Sequence, residues 1–412
     1  MARILLLGAG GVARVIAVKV AQVPDVFSSL CIASRNQDKC RIIAERVGKS
    51  LPATTAGVNA DDSSAVASLI RREKAEIVIN ATLPEQNLPV MKACLKAGAH
   101  YIDTSAPEPV PGKYEMFAYR WQLDYHTQFK SAGLTALLSI GFDPGMTNVF
   151  AAHLAERLDV LETLDILDCN GGTHGYPFAT NFNPVTNIQE ITQPSFWWEN
   201  GRWQQEPPFH TQASYDLPGL GPRKLTRIYH EELETIVARM PSLRRAQFWM
   251  GFSDDFLNHI DVLGRVGLLE TRAVNHEGMK VSPLQFLGHT LPDPANLGAR
   301  YTGRTNIGCL ARGILHGNPT ALYLYNLCDH EEAYAESGSQ AISYTAGVPP
   351  VVAAELLLAP CTDWNKPGVW VPEDLPPAPM LARIARRGLP WQIIDGSALA
   401  EESSGPIPSH LE

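Results

Sequence analysis

The chain has 412 residues, 45% of them hydrophobic and 19% charged, which is enough apolar mass for two domains with ordinary cores. A formal net charge of −9 and a pI near 5.8 argue against a nucleic-acid partner, because phosphate binding calls for a basic surface. Seven scattered cysteines without a C-x-x-C pair suit a reducing cytoplasm and offer no metal site, and no apolar run approaches the roughly 18 residues of a membrane helix.

Met1-Ala2-Arg3 resembles the opening of a signal peptide, but Arg14 and Lys19 interrupt the apolar stretch and cleavage would remove the first strand, so a cytoplasmic location is expected. Ile4-Leu5-Leu6-Leu7 predicts a strand buried on both faces of a parallel sheet. Gly8-Ala9-Gly10-Gly11-Val12-Ala13 follows as a G-x-G-x-x-A turn. Gly8 permits the tight turn, Gly10 lets a pyrophosphate approach the backbone, and the small Ala13 lets helix and strand pack closely. Val12, Val15, Ile16, Val20 and Val23 recur at helical spacing, which puts the phosphates at a helix N-terminus. The second strand, Leu30-Cys31-Ile32-Ala33, ends in Ser34-Arg35 where an acid would read an NAD ribose. A hydroxyl and a guanidinium there suit a 2′-phosphate and predict NADP(H); the other reading of Arg35 is a solvated surface charge.

Strand and helix patterns then alternate through Ile77-Val78-Ile79, a helix from Pro89 to Ala97, and Tyr101-Ile102, implying a parallel sheet with right-handed crossovers. Asn80-Ala81-Thr82 and Asp103-Thr104-Ser105 stand directly after two strands, where open α/β sheets bind ligands; ordinary turn chemistry is the alternative. A helical region from Tyr114 to Lys130 leads to a sixth strand, Leu134 to Ile140, and to Gly141-Phe142-Asp143-Pro144-Gly145. The Asp143-Pro144 pair lies at a strand's carboxyl end, so Asp143 is a candidate active-site acid or a helix cap. From about Val149 strand-like segments such as Leu161 to Leu167 and Leu322 to Tyr325 alternate with loops rich in Gly, Pro and aromatics. That reads as an α+β domain with a mixed sheet, and a late helix from Val351 to Leu358 follows Pro349-Pro350. The expected fold is thus a Rossmann-type doubly wound parallel sheet plus an α+β substrate and dimerisation domain. Its divisions fall at 1–148, 149–342 and a C-terminal segment 343–412.

The glycine turn, Ala33-Ser34-Arg35, Asn80 to Pro84, Tyr101 to Thr104, Gly141 to Gly145, and the run from Tyr325 through Cys328-Asp329-His330 to Gln340-Ala341-Ile342-Ser343-Tyr344-Thr345-Ala346-Gly347-Val348-Pro349 resemble the saccharopine dehydrogenase-like superfamily. The last run is the most specific and resembles the polyamine branch, the carboxynorspermidine (carboxyspermidine) dehydrogenases. The resemblance implies NADPH-dependent reduction of an imine between L-aspartate 4-semialdehyde and 1,3-diaminopropane or putrescine. It also implies a homodimer through the middle domain and a C-terminal segment returning to the nucleotide domain. Saccharopine reductases read product carboxylates with middle-domain arginines, and those positions are not matched onto His230 and Trp249.

Imine reduction needs no metal, only a proton donor and a held pair of reactants. Asp143, His174 and His330 are the acid/base candidates, and Asn181, His230, Glu231 and Asp329 the substrate candidates, since a remote ammonium needs a carboxylate. Two other functions remain open at this stage: saccharopine formation from aminoadipate semialdehyde and glutamate, and a non-catalytic NADP-binding regulator.

Overall fold

The computed structural model describes residues 1–107, 119–360, 362–399 and 402–404. Its N-terminal part is the doubly wound sheet that the strand pattern predicts. Strands β1 (Ala2–Leu7), β2 (Phe27–Ser34), β3 (Ala53–Gly57), β4 (Ile77–Asn80), β5 (His100–Asp103) and β6 (Thr135–Leu137) pair in the order 6-5-4-1-2-3, all parallel. Helices α1 (Gly11–Ala21), α2 (Gln37–Val47), α3 (Ser63–Glu73) and α4 (Asn87–Ala97) cross between strands. Leu5, Leu6 and Leu7 are fully buried, as a strand covered on both faces requires. The order reverses between β1 and β4, so the ligand crevice opens at their carboxyl ends. Read along that edge, the loops run from Ser34-Arg35 after β2, through Gly8 and Ala81, to Thr104 after β5 and Asp143 after β6. Of the expected helix Tyr114 to Lys130, residues before 119 lie outside the described residues; the rest forms α5 (Tyr119–Leu123) and α6 (His126–Ser131).

The second part begins with α7 (Met146–Arg157) and β7 (Val160–Asn170), followed by α8 (Pro184–Thr192). Next come β8 (Ser195–Glu199), β9 (Arg202–Glu206), β10 (Gln212–Leu217), β11 (Gly221–Ile228), α9 (Glu232–Arg239), β12 (Arg245–Gly251) and α10 (Asp254–Arg265). A small hairpin, β13 (Val274–His276) with β14 (Met279–Val281), precedes α11 (Pro283–Thr290) and the long strands β15 (Arg304–Leu315) and β16 (Asn318–Asp329). Strands β7 to β12, β15 and β16 build a mixed sheet, in which β7 and β12 are parallel and their other partners antiparallel. Leu164 and Ile166 of β7, Phe248 of β12 and Ile307 of β15 face the same core as Ile4 and Leu6 of β1.

The C-terminal segment joins both sheets, which differs from the single return to the nucleotide domain expected of 343–412. After α12 (His330–Ser337) and α13 (Ala341–Leu358), β17 (Gly368–Trp370) extends the parallel sheet beside β6. Past α14 (Pro377–Arg386), β18 (Trp391–Asp395) pairs with β16, and β19 (Glu402–Ser404) with β10, completing ten strands in the mixed sheet. Helix α13 begins ten residues before the expected Val351 and runs through Pro349-Pro350. It is apolar on all sides and long enough to cross a membrane, yet 83% of it is buried inside the protein against α1, β5, β15 and β16. Packing on every face offsets the amide bonds that two prolines forfeit. The six described cysteines are buried free thiols, and Cys361 lies outside the described residues.

Candidate active site

The glycine turn is built for close approach. Gly8 sits at φ +116°, and a Cβ there would lie 2.4 Å from the Ala81 carbonyl oxygen, so β1 and the loop after β4 meet only through glycine. At Gly10 a Cβ would meet nothing within 4 Å, and no side chain caps α1, which leaves its first amides to a ligand. Around this turn lies a cavity of about 550 Å³. Ser34, Arg35, Asn36 and Lys39 line its β2 end. The Ser34 hydroxyl accepts from the Asn36 amide at 3.0 Å, Asn36 caps α2 by accepting from the Lys39 amide at 3.1 Å, and the Lys39 ammonium pairs with Asp293 at 2.7 Å. Two cations and a hydroxyl gathered there, with a bare helix N-terminus and a glycine cradle next to them, fit a dinucleotide carrying a 2′-phosphate. Val12, Ala13, Ala81, Thr82, Thr104, Ser105 and Pro144 also line the cavity.

At the β5–β6 end the chemistry changes sign. Asp143, Asp168, Glu190, His230 and Glu231 all reach the cavity wall, with Glu232 directly behind. His230 is 6% exposed and stacks on Phe248 with ring centroids 4.3 Å apart. Its Nδ1 contacts Glu232 and lies 3.3 Å from Glu231 Oε2, while Nε2 lies 3.5 Å from Glu190 Oε1. Burial works against a charge on His230, but Glu232, Glu231 and Glu190 together hold its pKa well above the usual value. Burial raises Asp143 well above the carboxylate range, reinforced by the charge of Asp168; burial also pushes Asp168 up to about 6 and Glu190 to about 8. Oδ1 of Asp168 is buried without a hydrogen-bond donor among the described residues. The ligating atoms of His230, Glu231 and Glu232 lie within 4.8 Å of one another. Three carboxylates around one imidazole leave an excess of acid in this grouping, which suits a cationic ligand.

Four predicted site residues serve other ends. Asn80 is 1% exposed and turns inward, where its Oδ1 accepts from the Thr82 hydroxyl at 2.6 Å; it holds Thr82 rather than lining the cavity. His330 is fully buried, its Nδ1 accepting from the Ala341 amide at 3.1 Å and its Nε2 donating to Asn170 Oδ1 at 2.9 Å, with Tyr301 stacked on its ring. Both nitrogens are thereby occupied, burial pushes its pKa down to about 4, and it lies off the cavity wall. His174 also lies off the wall; its Nδ1 accepts from the Tyr176 amide, and its ring meets Tyr301 edge-on. Asp329 caps α12, accepting from the Glu331 and Glu332 amides, and pairs with Arg304. Asn181 does reach the cavity and accepts from the Tyr301 hydroxyl at 2.7 Å. The sequence reading missed Lys39, Asp168, Glu190 and Ser343. The signal that could have found two of them is a charge in an apolar setting: Asp168 within the buried strand β7, and Glu190 between Ile188 and Ile191 of α8.

Comparison with known proteins agrees with this geometry. Residues 4–137 match the saccharopine dehydrogenase NADP-binding domain, and residues 141–389 the saccharopine dehydrogenase C-terminal domain. A carboxyaminopropylagmatine dehydrogenase from Synechocystis is 44% identical over 99% of each chain. A carboxynorspermidine synthase from Vibrio alginolyticus is 40% identical over 95% of this chain and 96% of its own. The solved saccharopine dehydrogenase (L-Glu forming) from Saccharomyces cerevisiae shares the fold, with a TM-score of 0.72 at 13% identity, covering 96% of this chain and all of its own. With both of its parts matched and relatives this similar along their whole length, the chain belongs to the saccharopine dehydrogenase family, as an NADP(H)-dependent oxidoreductase.

Proposed function

We propose that the chain joins L-aspartate 4-semialdehyde to a primary amine that carries a second cation at its far end, by reducing the imine between them. A carboxyaminopropyl group, the substituent in one relative's name, has the carbon skeleton that this aldehyde leaves after reductive amination. The amine is agmatine or a diamine such as 1,3-diaminopropane or putrescine. The observation that carries the reading is the charge of the β5–β6 end, where Asp143, Asp168, Glu190 and Glu231 surround a single imidazole. The only lysine or arginine side chains on the described cavity wall are Arg35 and Lys39, both at the other end. Glutamate would bring two carboxylates into an acidic pocket, which disfavours saccharopine formation; a dication would pair with the carboxylates it displaces from one another.

The reaction balances without a metal. The ammonium loses a proton, its nitrogen adds to the aldehyde carbon, and the carbinolamine hydroxyl leaves as water on taking a proton back. Bound in the cleft, NADPH supplies the hydride that converts the iminium carbon to a secondary amine. Asp143, which burial and the charge of Asp168 hold well above the usual carboxylate range, lines the cavity and gives its proton to the departing carbinolamine hydroxyl; the carboxylate left behind takes up the proton that the next ammonium loses. Glu190 holds the distant cation, which favours its ionised form over the neutral one that burial alone prefers.

The test is NADPH oxidation with the aldehyde and, in turn, agmatine, 1,3-diaminopropane, putrescine or glutamate. Turnover is expected with agmatine or a diamine, and Glu190→Gln should raise the KM of that amine roughly tenfold while leaving that of the aldehyde alone. Turnover with glutamate and none of the cationic amines would overturn the reading.

A further inference from the structure

The run Ser339-Gln340-Ala341-Ile342-Ser343, over 320 residues from the glycine turn, ends up against it. The Ser339 hydroxyl donates to the Gly11 carbonyl at 3.1 Å, and Arg14 of α1 donates to the Gly338 carbonyl at 2.6 Å. Further along, a Cβ on Gly347 would lie 2.6 Å from Val15, so α13 packs on α1 at glycine distance. The N-terminus of α13 is thereby brought beside the N-terminus of α1. A Cβ on Gly11 would lie 2.5 Å from the Ser343 hydroxyl.

The first amides of α13 are not equally available. His330 Nδ1 takes the Ala341 amide, and the Gln340 side chain takes that of Ile342 at 2.6 Å. Ser343 comes next, with Ile342 and Ala346 beside it on the cavity wall. Its side chain is only 6% exposed, and no described residue shares a hydrogen bond with its hydroxyl. A nearly buried hydroxyl without a partner, facing a cavity at a helix N-terminus, is a donor held for a ligand. The ligand that the glycine turn calls for at that spot carries two adjacent phosphates.

We infer that the cofactor's diphosphate is bound between two helix N-termini, α1 from the nucleotide domain and α13 from the C-terminal segment, with the Ser343 hydroxyl donating to a phosphate oxygen. The inference rests on the NADP(H) assignment and adds a second anchor to it. Each helix dipole favours negative charge at its start, so two of them suit a doubly charged group better than one. The C-terminal segment is then part of the cofactor site as well as of the fold.

Titrations of NADPH and of adenosine 2′-phosphate, followed by fluorescence or calorimetry on the full chain, separate the parts. Adenosine 2′-phosphate can engage Ser34 and Arg35 but has no diphosphate. Ser343→Ala is expected to weaken NADPH roughly tenfold and leave adenosine 2′-phosphate within about twofold. Ser343→Asp, which sets a carboxylate against the diphosphate, should weaken NADPH further with the same selectivity. Unchanged NADPH affinity in Ser343→Ala, or an equal loss for both ligands, would overturn the inference. Failure of the unaltered chain to bind NADPH would instead remove the assignment beneath it.

Discussion

Arg35 is exposed at the lip of the β2 end, where no described residue forms an ion pair with it. A guanidinium so placed is available to the cofactor's 2′-phosphate, and a charge-assisted contact is worth about 1.5–3 kcal/mol. Lys39 stands close by but already pairs with Asp293, so it replaces only part of a lost guanidinium. Arg35→Ala should therefore weaken NADPH roughly tenfold and NADH hardly at all, as read from the two dissociation constants; equal losses would show that Arg35 does not touch the 2′-phosphate. Single residues of this kind are legible in a sequence because their partners are local: Gly8, Gly10 and Arg35 all belong to one strand-turn-helix-strand unit. Asp168, Glu190 and Ser343 come from three distant elements that only the tertiary fold converges. A charge inside a buried strand gives away that something is there, but not which cavity it faces.

At the scale of elements, the alternating strands and helices of the nucleotide domain were legible because each buries a continuous apolar run. Helix α13 was half legible, since Pro349-Pro350 reads as a break and only its burial on every side explains why the helix continues. The same helix explains His330. A histidine in a Cys-Asp-His run reads as an acid/base, yet here it holds the first amide of α13 and ties Asn170 of β7 to that helix. His330→Phe keeps the stacking on Tyr301 but orphans the Ala341 amide, a loss of about 1–3 kcal/mol. The expected outcome is a melting temperature lower by several degrees with kcat at saturating substrates little changed. Loss of turnover by orders of magnitude in a variant that still folds would restore His330 to the chemistry.

For the whole molecule, the acidic pocket has a cost that pH reveals. In the folded chain burial lifts Asp103 to about 7, Asp168 to about 6 and Glu190 to about 8, while the same groups ionise near 4 once unfolded. His230, raised by its carboxylate neighbours, also holds its proton longer when folded. A folded state that binds more protons than the unfolded one loses stability as pH rises, by about 1.4 kcal/mol per pH unit for each extra proton. Below about pH 6.5 this trend is opposed by His100, His153, His174 and His330, whose folded pKa values burial lowers, so that the unfolded chain takes up their protons. Above pH 6.5 the unfolded chain sheds those histidine protons within about one pH unit, and the raised groups, Asp143 and Glu373 among them, outweigh what remains. The melting temperature of the unliganded protein should fall between about pH 6.5 and 8.5. A cationic amine lodged among Asp168, Glu190 and Glu231 would pair with the charges that deprotonation creates, so agmatine or putrescine should raise the melting temperature more at pH 8 than at pH 6.5. A melting temperature that climbs over this range without amine, or an amine effect that shrinks as pH rises, would mean that the buried carboxyls are not the groups the substrate cation meets.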